Sequence, residues 1–158
     1  MSVIGASRLK DTDAMKRGRK LEHCVLNEVK KILGKVNLTG IFLTARHPVM
    51  GASPDGVTED GQSIVEVKCP TTPKNFQKYV KTDGSVAAKH LAQVQMLMHI
   101  TCKNEAYFCV AHPDFEITKN VKIIKNLYYP VYSEDLMLKC QDFWEKTVFL
   151  ELCRVYSN

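Results

Sequence analysis

No run of 18 apolar residues occurs in this 158-residue chain, so a membrane-spanning helix is not expected. The amino-terminal residues Met1-Ser2-Val3-Ile4-Gly5-Ala6-Ser7-Arg8 lack the long apolar core of a secretory signal. The expectation is an intracellular, non-secreted protein, with nucleus and cytoplasm left open. Without a secretory signal, the glycosylation-like Asn37-Leu38-Thr39 reads as coincidence. The six cysteines (Cys24, Cys69, Cys102, Cys109, Cys140, Cys153) contain no C-x-x-C pair. His99-x-x-Cys102 is the only ligand-like spacing and has no second pair to complete a site. Zinc modules and disulfide frameworks are set aside in favour of reduced thiols. Internal repeats, low-complexity tracts and linkers are also lacking, so residues 1–158 read as a single domain. Nor is there a strong charge of one sign. A net charge of +5 is compatible with nucleic acid without establishing it.

What is present is ordinary globular composition, 45% hydrophobic and 25% charged, patterned into alternating elements. Leu21, Val25, Val29, Ile32 and Val36 recur at helical spacing, which predicts a helix over residues 13–36 with Asp11, Thr12 or Asp13 as cap. Residues 38–49 are rich in β-branched and aromatic side chains and read as a strand. A hairpin follows, and Cys69-Pro70-Thr71-Thr72-Pro73 stops its second arm. A short helical piece at 74–80 and a polar loop at 81–85 lead to a helix at 86–100. That helix is apolar nearly all round, so its burial is expected. Strands are expected at 104–112 and 121–129, then a final helix capped by Ser133 with Leu136, Cys140, Phe143, Trp144 and Val148 as its core stripe. The order α-β-β-β-α-β-β-α describes a mixed α/β fold.

The hairpin carries the most information. Asp60-Gly61 between strand-like runs is a strong turn signal. A turn there sets 57 opposite 64, Asp55 opposite Glu66, and Ser53 opposite Lys68. Period-2 alternation puts those last four side chains on one face, with Pro54, Val65 and Val67 on the other. Opposed residues have Cβ atoms about 5 Å apart. Two carboxylates that close repel unless a cation lies between them. An adjacent lysine suggests chemistry on an anionic substrate.

Phosphodiester hydrolysis needs such a set: carboxylates to hold one or two divalent ions and a lysine to position or activate water. Asp55 and Glu66 are the candidate ligands for Mg²⁺ or Mn²⁺, with the Val67 carbonyl beside them and Lys68 aimed at the same place. At these residues the sequence resembles the PD-(D/E)xK nuclease superfamily. The longer strings Gly-Ala-Ser-Pro-Asp-Gly and Val-Glu-Val-Lys-Cys-Pro resemble its lambda exonuclease/YqaJ-type alkaline exonuclease branch. So do Ala92-Gln93-Val94-Gln95-Met96, Gly18-x-x-x-Glu22 and Ile4-Gly5-Ala6-Ser7, and the likeness runs over residues 4–112.

The resemblance implies a restriction-endonuclease-like fold, a mixed central sheet flanked by helices. It implies that Asp55, Glu66 and the Val67 carbonyl hold metal, that Glu22 assists at a second ion or through its water, and that Lys68 orients or activates the nucleophilic water. Gln93 would sit beside the reacting water or phosphate, and Ser7 and Ser53 would contact a 5′-phosphate. The family's arginine upstream of the I-T-A-S element is not in this sequence, unless Arg8 substitutes from a shifted position. The activity implied is a 5′-to-3′ exonuclease on double-stranded DNA in recombination. A homotrimer and a single-strand annealing protein are the implied partners. The alternatives are an endonuclease on the same scaffold, or a non-catalytic DNA-binding module. Bland roles stand beside the functional ones: an ion pair with Arg19 for Glu22, core bracing for Gln93 and Gln95, and a helix-cap or surface role for His90. For the Lys/Arg run at 16–20 it is a solvated helix face.

Overall fold

A computed structural model describes residues 11–156. The expected first helix forms as α1 (Asp13–Leu33). The Thr12 hydroxyl accepts from the Met15 N–H, Asp13 sits in the first turn, and Lys30 and Lys31 sit in the last. Each placement suits the helix dipole. Gly34, at φ 80°, stops the helix, three residues before the predicted end. Val36 therefore leaves the helical stripe and enters β1 (Val36–Asn37). Leu21, Val25, Leu26 and Val29 are buried, but Ile32 is 69% exposed, because the stripe has rotated off the sheet by the last turn.

Residues 38–49 do not make one strand. Only β2 (Phe42–Leu43) forms, paired antiparallel with β3 (Gly51–Ala52) as a separate ribbon. A turn around His47-Pro48 separates them, with His47 N–H on the Thr44 carbonyl and Met50 N–H on that of His47. β4 (Gly56–Thr58) and β5 (Ser63–Lys68) are antiparallel with Gly56 opposite Val65 and Val57 opposite Ile64, the register that the sequence predicts. The loop is longer than the expected two-residue turn. The Thr58 hydroxyl takes the Ser63 N–H and donates to the Asp60 carboxylate, which also accepts from Gln62 N–H. Side chains thus close the hairpin around Gly61, at φ 69°, without shifting the pairing.

After α2 (Pro73–Phe76), capped by Thr72, the chain crosses over through α3 (Ala88–Thr101). It returns as β6 (Glu105–Ala111), parallel to β5. Then come α4 (Phe115–Thr118), β7 (Val121–Leu127), antiparallel to β6, and α5 (Pro130–Phe143). A π-helical stretch, Trp144–Phe149, leads into α6 (Leu150–Tyr156). The five-stranded sheet has the order β1-β4-β5-β6-β7. It is a mixed α/β fold with a mostly antiparallel sheet between helices. One face packs Val65, Val67 and Cys109 against Leu21, Val25 and Val29 of α1; the other packs Ile64, Phe108 and Val110 against Val94 and Met98 of α3 and Met137 of α5.

Ser133 does not cap α5. The helix starts one turn earlier at Pro130, whose fixed φ suits a first helical position. Ser133 is wholly buried and donates to the Gln95 side-chain oxygen at 3.0 Å. That oxygen also accepts from the Tyr129 N–H (2.8 Å), while the Gln95 amide donates to the Leu127 carbonyl (2.7 Å). Gln95 therefore pins the β7–α5 junction to α3. Phe143, expected in the core, is 58% exposed.

Two substitutions test this packing. Gln95→Leu strands a buried N–H, a carbonyl and a hydroxyl, and is expected to lower unfolding free energy by about 3 kcal/mol or more in urea titrations. Gly56→Ala would put a Cβ 2.5 Å from Val36 Cγ1 and 3.2 Å from the Asn37 carbonyl oxygen. Forcing β1 off β4 in this way is expected to cost about 1–3 kcal/mol.

Candidate active site

The site begins with the alternation of β5. Val65 and Val67 face α1, so Glu66 and Lys68 face α3 with Ile64. Glu66 is 4% exposed. Its Oε1 accepts from Lys68 Nζ at 2.6 Å and from the Gln93 amide at 2.7 Å. β4 begins at Gly56, one residue after Asp55. There the Asp55 side chain reaches over the hairpin and its Oδ2 accepts the Val67 N–H at 2.6 Å. The Thr39 hydroxyl donates to the Pro54 carbonyl at 3.1 Å and steadies this turn.

Each carboxylate thus has one oxygen held by the protein and one with no partner among the described residues. The free oxygens keep contact with solvent, since the only sealed and unpartnered side-chain polar atom among the described residues is Nδ1 of His47. Burial pushes the Glu66 carboxyl up to about 7, with Lys68 opposing and Asp55 adding to the rise. Burial also raises Asp55, against the Val67 N–H and the Lys68 charge.

Glu22, half-buried on α1, faces the same cluster. Its carboxyl is raised by burial and then by the Asp55 charge, with Lys68 opposing. The expected competitor, an ion pair with Arg19, does not form; Arg19 pairs with Asp11. A Cβ added at Gly18 would meet nothing within 4 Å among the described residues. The structure therefore brings Glu22, Asp55, Glu66, Lys68 and Gln93 together. It also separates the two glutamines of α3, Gln93 serving the site and Gln95 the core. Ser53 is exposed between β3 and β4, outside the paired register that would set it opposite Lys68. Ser7 and Arg8 lie outside the described residues.

The cationic run on α1 is committed elsewhere. Lys16 pairs with Asp13, and Lys20 with Glu116. Arg17, 13% exposed, binds Glu116 at 2.7 Å and donates to the carbonyls of Pro70 and Pro113. It clamps the chain just after β5 to the chain just after β6. Nothing local in the sequence marks that role, because its partners lie 53 to 99 residues away.

Among the described residues no three His, Cys, Asp or Glu side chains are close enough together to cage an ion. Two carboxylates, each with an oxygen open to solvent, nevertheless fit Mg²⁺, which keeps several waters and needs one or two protein carboxylates. They do not fit a structural zinc site, which is closed by four ligands rich in sulfur and imidazole. Buried Cys69 and Cys109 are inert thiols, raised by burial to about 11 and about 12.

Comparison with known proteins agrees with this fold. LHK-Exo, an alkaline exonuclease from Laribacter hongkongensis solved in complex with dAMP, superposes with a TM-score of 0.77 at 20% identity. The match covers 98% of this chain and 80% of that one. A second LHK-Exo structure gives 0.70 at 19% identity over the same shares. A phage-related exonuclease from Haemophilus somnus 129PT gives 0.66 at 12%, covering 95% of this chain and 78% of the other. At such identities the likeness establishes the fold. No curated protein matches. The YqaJ-like viral recombinase domain matches residues 3–104, more than half of the chain. The chain belongs to the YqaJ-like viral recombinase domain family.

Proposed function

We propose that this protein is a divalent-metal-dependent DNA exonuclease of recombination, acting on double-stranded DNA from 5′ ends. The observation that carries the reading is the pair of buried carboxylates, Asp55 and Glu66, each with one oxygen held and one open, beside Lys68 and Gln93. Family membership and the exonuclease fold neighbours support a nuclease acting on DNA.

A Mg²⁺ or Mn²⁺ ion, held by Asp55 and Glu66 with the Val67 carbonyl and Glu22 as further donors, would neutralise the phosphate and help ionise the attacking water. The chain's own groups do the positioning. The Val67 N–H fixes one oxygen of Asp55, so the other keeps a set direction. Gln93 fixes Glu66 from α3 in the same way. Lys68 carries three donors on its ammonium. With one on Glu66, the others can orient the incoming water and a non-bridging phosphate oxygen. In-line attack breaks the bond from phosphorus to the 3′ oxygen and leaves a 5′-phosphorylated nucleotide and a 3′-hydroxyl. Ser53, exposed next to Asp55, is available to the terminal 5′-phosphate.

In Mg²⁺, wild-type protein is expected to digest a linear 5′-phosphorylated duplex, with Asp55→Asn slower by roughly a thousandfold. Equal digestion by both proteins would rule out the mechanism, and rapid loss of a closed circle would favour an endonuclease. Gln93→Leu is expected to lower the rate by roughly ten- to a hundredfold while the protein stays folded, as measured in single turnovers.

A pH dependence follows from Glu66. Its folded carboxyl holds a proton up to about pH 7, whereas the unfolded one releases it near 4.5. The folded state therefore binds the extra proton between those values, and its stability falls as pH rises through the window. The metal-free protein is expected to lose stability on the order of 3 kcal/mol between pH 4.5 and 8 from this group. Glu66→Gln should flatten that slope in thermal melts, and added Mg²⁺ should lift the wild type most at the alkaline end. A wild-type slope in Glu66→Gln would remove Glu66 as its source.

A further inference from the structure

The chain from Pro70 to Thr101 carries four lysines, Lys74, Lys78, Lys81 and Lys89, and one acid, Asp83. All four lysines are exposed. None makes an ion pair or a side-chain hydrogen bond with any described residue, in contrast to Lys16, Lys20 and Lys31 of α1. Asp83 is turned inward on its own loop, accepting from the Ser85 N–H and hydroxyl. Lys74 and Lys78 are one helical turn apart, for Lys78 N–H bonds the Asn75 carbonyl and Gln77 N–H that of Pro73. Lys81 and Lys89 are brought round by the Val80–Val86 bridge and by the Ala87 N–H on the Tyr79 carbonyl.

Beside this strip is an open, largely apolar slot of about 290 Å³, walled by Pro73, Phe76, Gln77, His112, Pro113 and Asp114. The Phe76 and His112 rings lie 4.7 Å apart, centre to centre. The slot and the carboxylate cluster lie toward the same end of the sheet. β5 and β6 are parallel, so the segments leaving their carboxyl ends form its two walls, locked by Arg17 through Pro70 and Pro113. The strip joins the active site through His90. Its ring stacks on Tyr79 at 4.4 Å and feels the charges of both Lys68 and Lys89.

We infer that the Lys74–Lys89 strip and the Phe76/His112 slot form a track for single-stranded DNA leading to or from the carboxylate cluster, the lysines following phosphates and the slot seating one unstacked base. An aromatic slot can receive a base only when that base is out of a duplex, and lysines interleaved with aromatics are the chemistry of sequence-independent single-strand binding. Double-stranded DNA fits the lysines alone. The inference rests on the nuclease reading, since a strand must separate at a cleaved end.

The test is fluorescence anisotropy of a labelled oligothymidylate of about 12 nucleotides in metal-free buffer over a salt series. Duplex of the same length serves as competitor. The variants are Lys74→Gln/Lys78→Gln/Lys81→Gln/Lys89→Gln together, His112→Ala, and Lys16→Gln/Lys20→Gln as the ion-paired control. The quadruple variant is expected to reduce the slope of log K against log salt by about 2–3, near 0.7 per lysine in contact. His112→Ala, at an exposed position, is expected to weaken oligothymidylate binding about tenfold with the slope unchanged and duplex binding little affected. A wild-type slope in the quadruple variant, or an equal loss in the α1 control, overturns the track. Equal weakening of duplex and single strand by His112→Ala overturns the slot's part in it. If wild type still digests linear duplex in Mg²⁺, only this inference has failed. If wild type neither binds nor digests DNA, the nuclease reading fails with it.

Discussion

Glu66 sits on a strand whose residues from Ser63 to Val67 are all buried, and much of the fold is arranged around that one carboxylate. A buried charge is expensive unless it is paired and hydrogen-bonded. Two donors meet the need, and they come from different levels of structure. Lys68 is supplied by the strand's own period of two. Gln93 is supplied by α3, which must therefore lie across the same face at hydrogen-bonding reach. The packing of Ile64, Phe108, Val94 and Met98 sets that distance. Desolvation still prevails over both donors and drives the carboxyl up to about 7. The folded site retains an unmet demand for positive charge.

The neighbouring carboxylate is placed by an interruption. β4 is three residues long and starts only after Asp55. Ahead of that start a side-chain oxygen, rather than a backbone carbonyl, receives the Val67 N–H. A longer β4 would have tied this N–H into the ladder and left Asp55 no fixed direction. Thr39 on the Pro54 carbonyl and Arg17 on the Pro70 carbonyl hold the same end of the sheet from two sides. The chemistry-bearing residues thus lie where regular pairing stops, on backbone that is nonetheless fully braced.

The hairpin was legible in the sequence because its signals are local and redundant. Asp-Gly, strict alternation and the Pro70 stop all specify the same register, and that register survived a loop longer than expected. Family strings added Glu22 and Gln93, which periodicity alone would have left as surface or core residues. The failures have a common cause. Residues 38–49 have strand-like composition, yet whether they pair depends on a partner that β3 provides for only two residues. Ser133 has the chemistry of a cap, but Pro130 starts the helix earlier and a buried amide 38 residues away claims the hydroxyl. Ile32 continues the helical stripe past the point where the sheet ends beneath it. Arg17 looked like one of a solvated run, and only the tertiary fold shows it as a clamp. Short-range patterns read well here, and long-range polar contacts do not.

Charge placement shows why net charge was uninformative. Asp55 and Glu66 lie together and Glu22 feels the Asp55 charge, a concentration of negative charge that by itself repels a polyanion. The cations of α1, nearest in sequence to Glu22, cannot offset this, because Asp11, Asp13 and Glu116 already hold them. Unpaired Lys74, Lys78 and Lys81 sit on the segment joining β5 to α3 and Lys89 on the first turn of α3, the same stretch that runs from Lys68 at one end to Gln93 at the other. On the proposed reading, attraction of an anionic strand and placement of the candidate catalytic groups are tied to one stretch of chain. A shift of α3 that moved Gln93 off Glu66 would also move Lys89 and the ring of His90. On the proposed reading, binding and chemistry would be coupled through the position of a single helix.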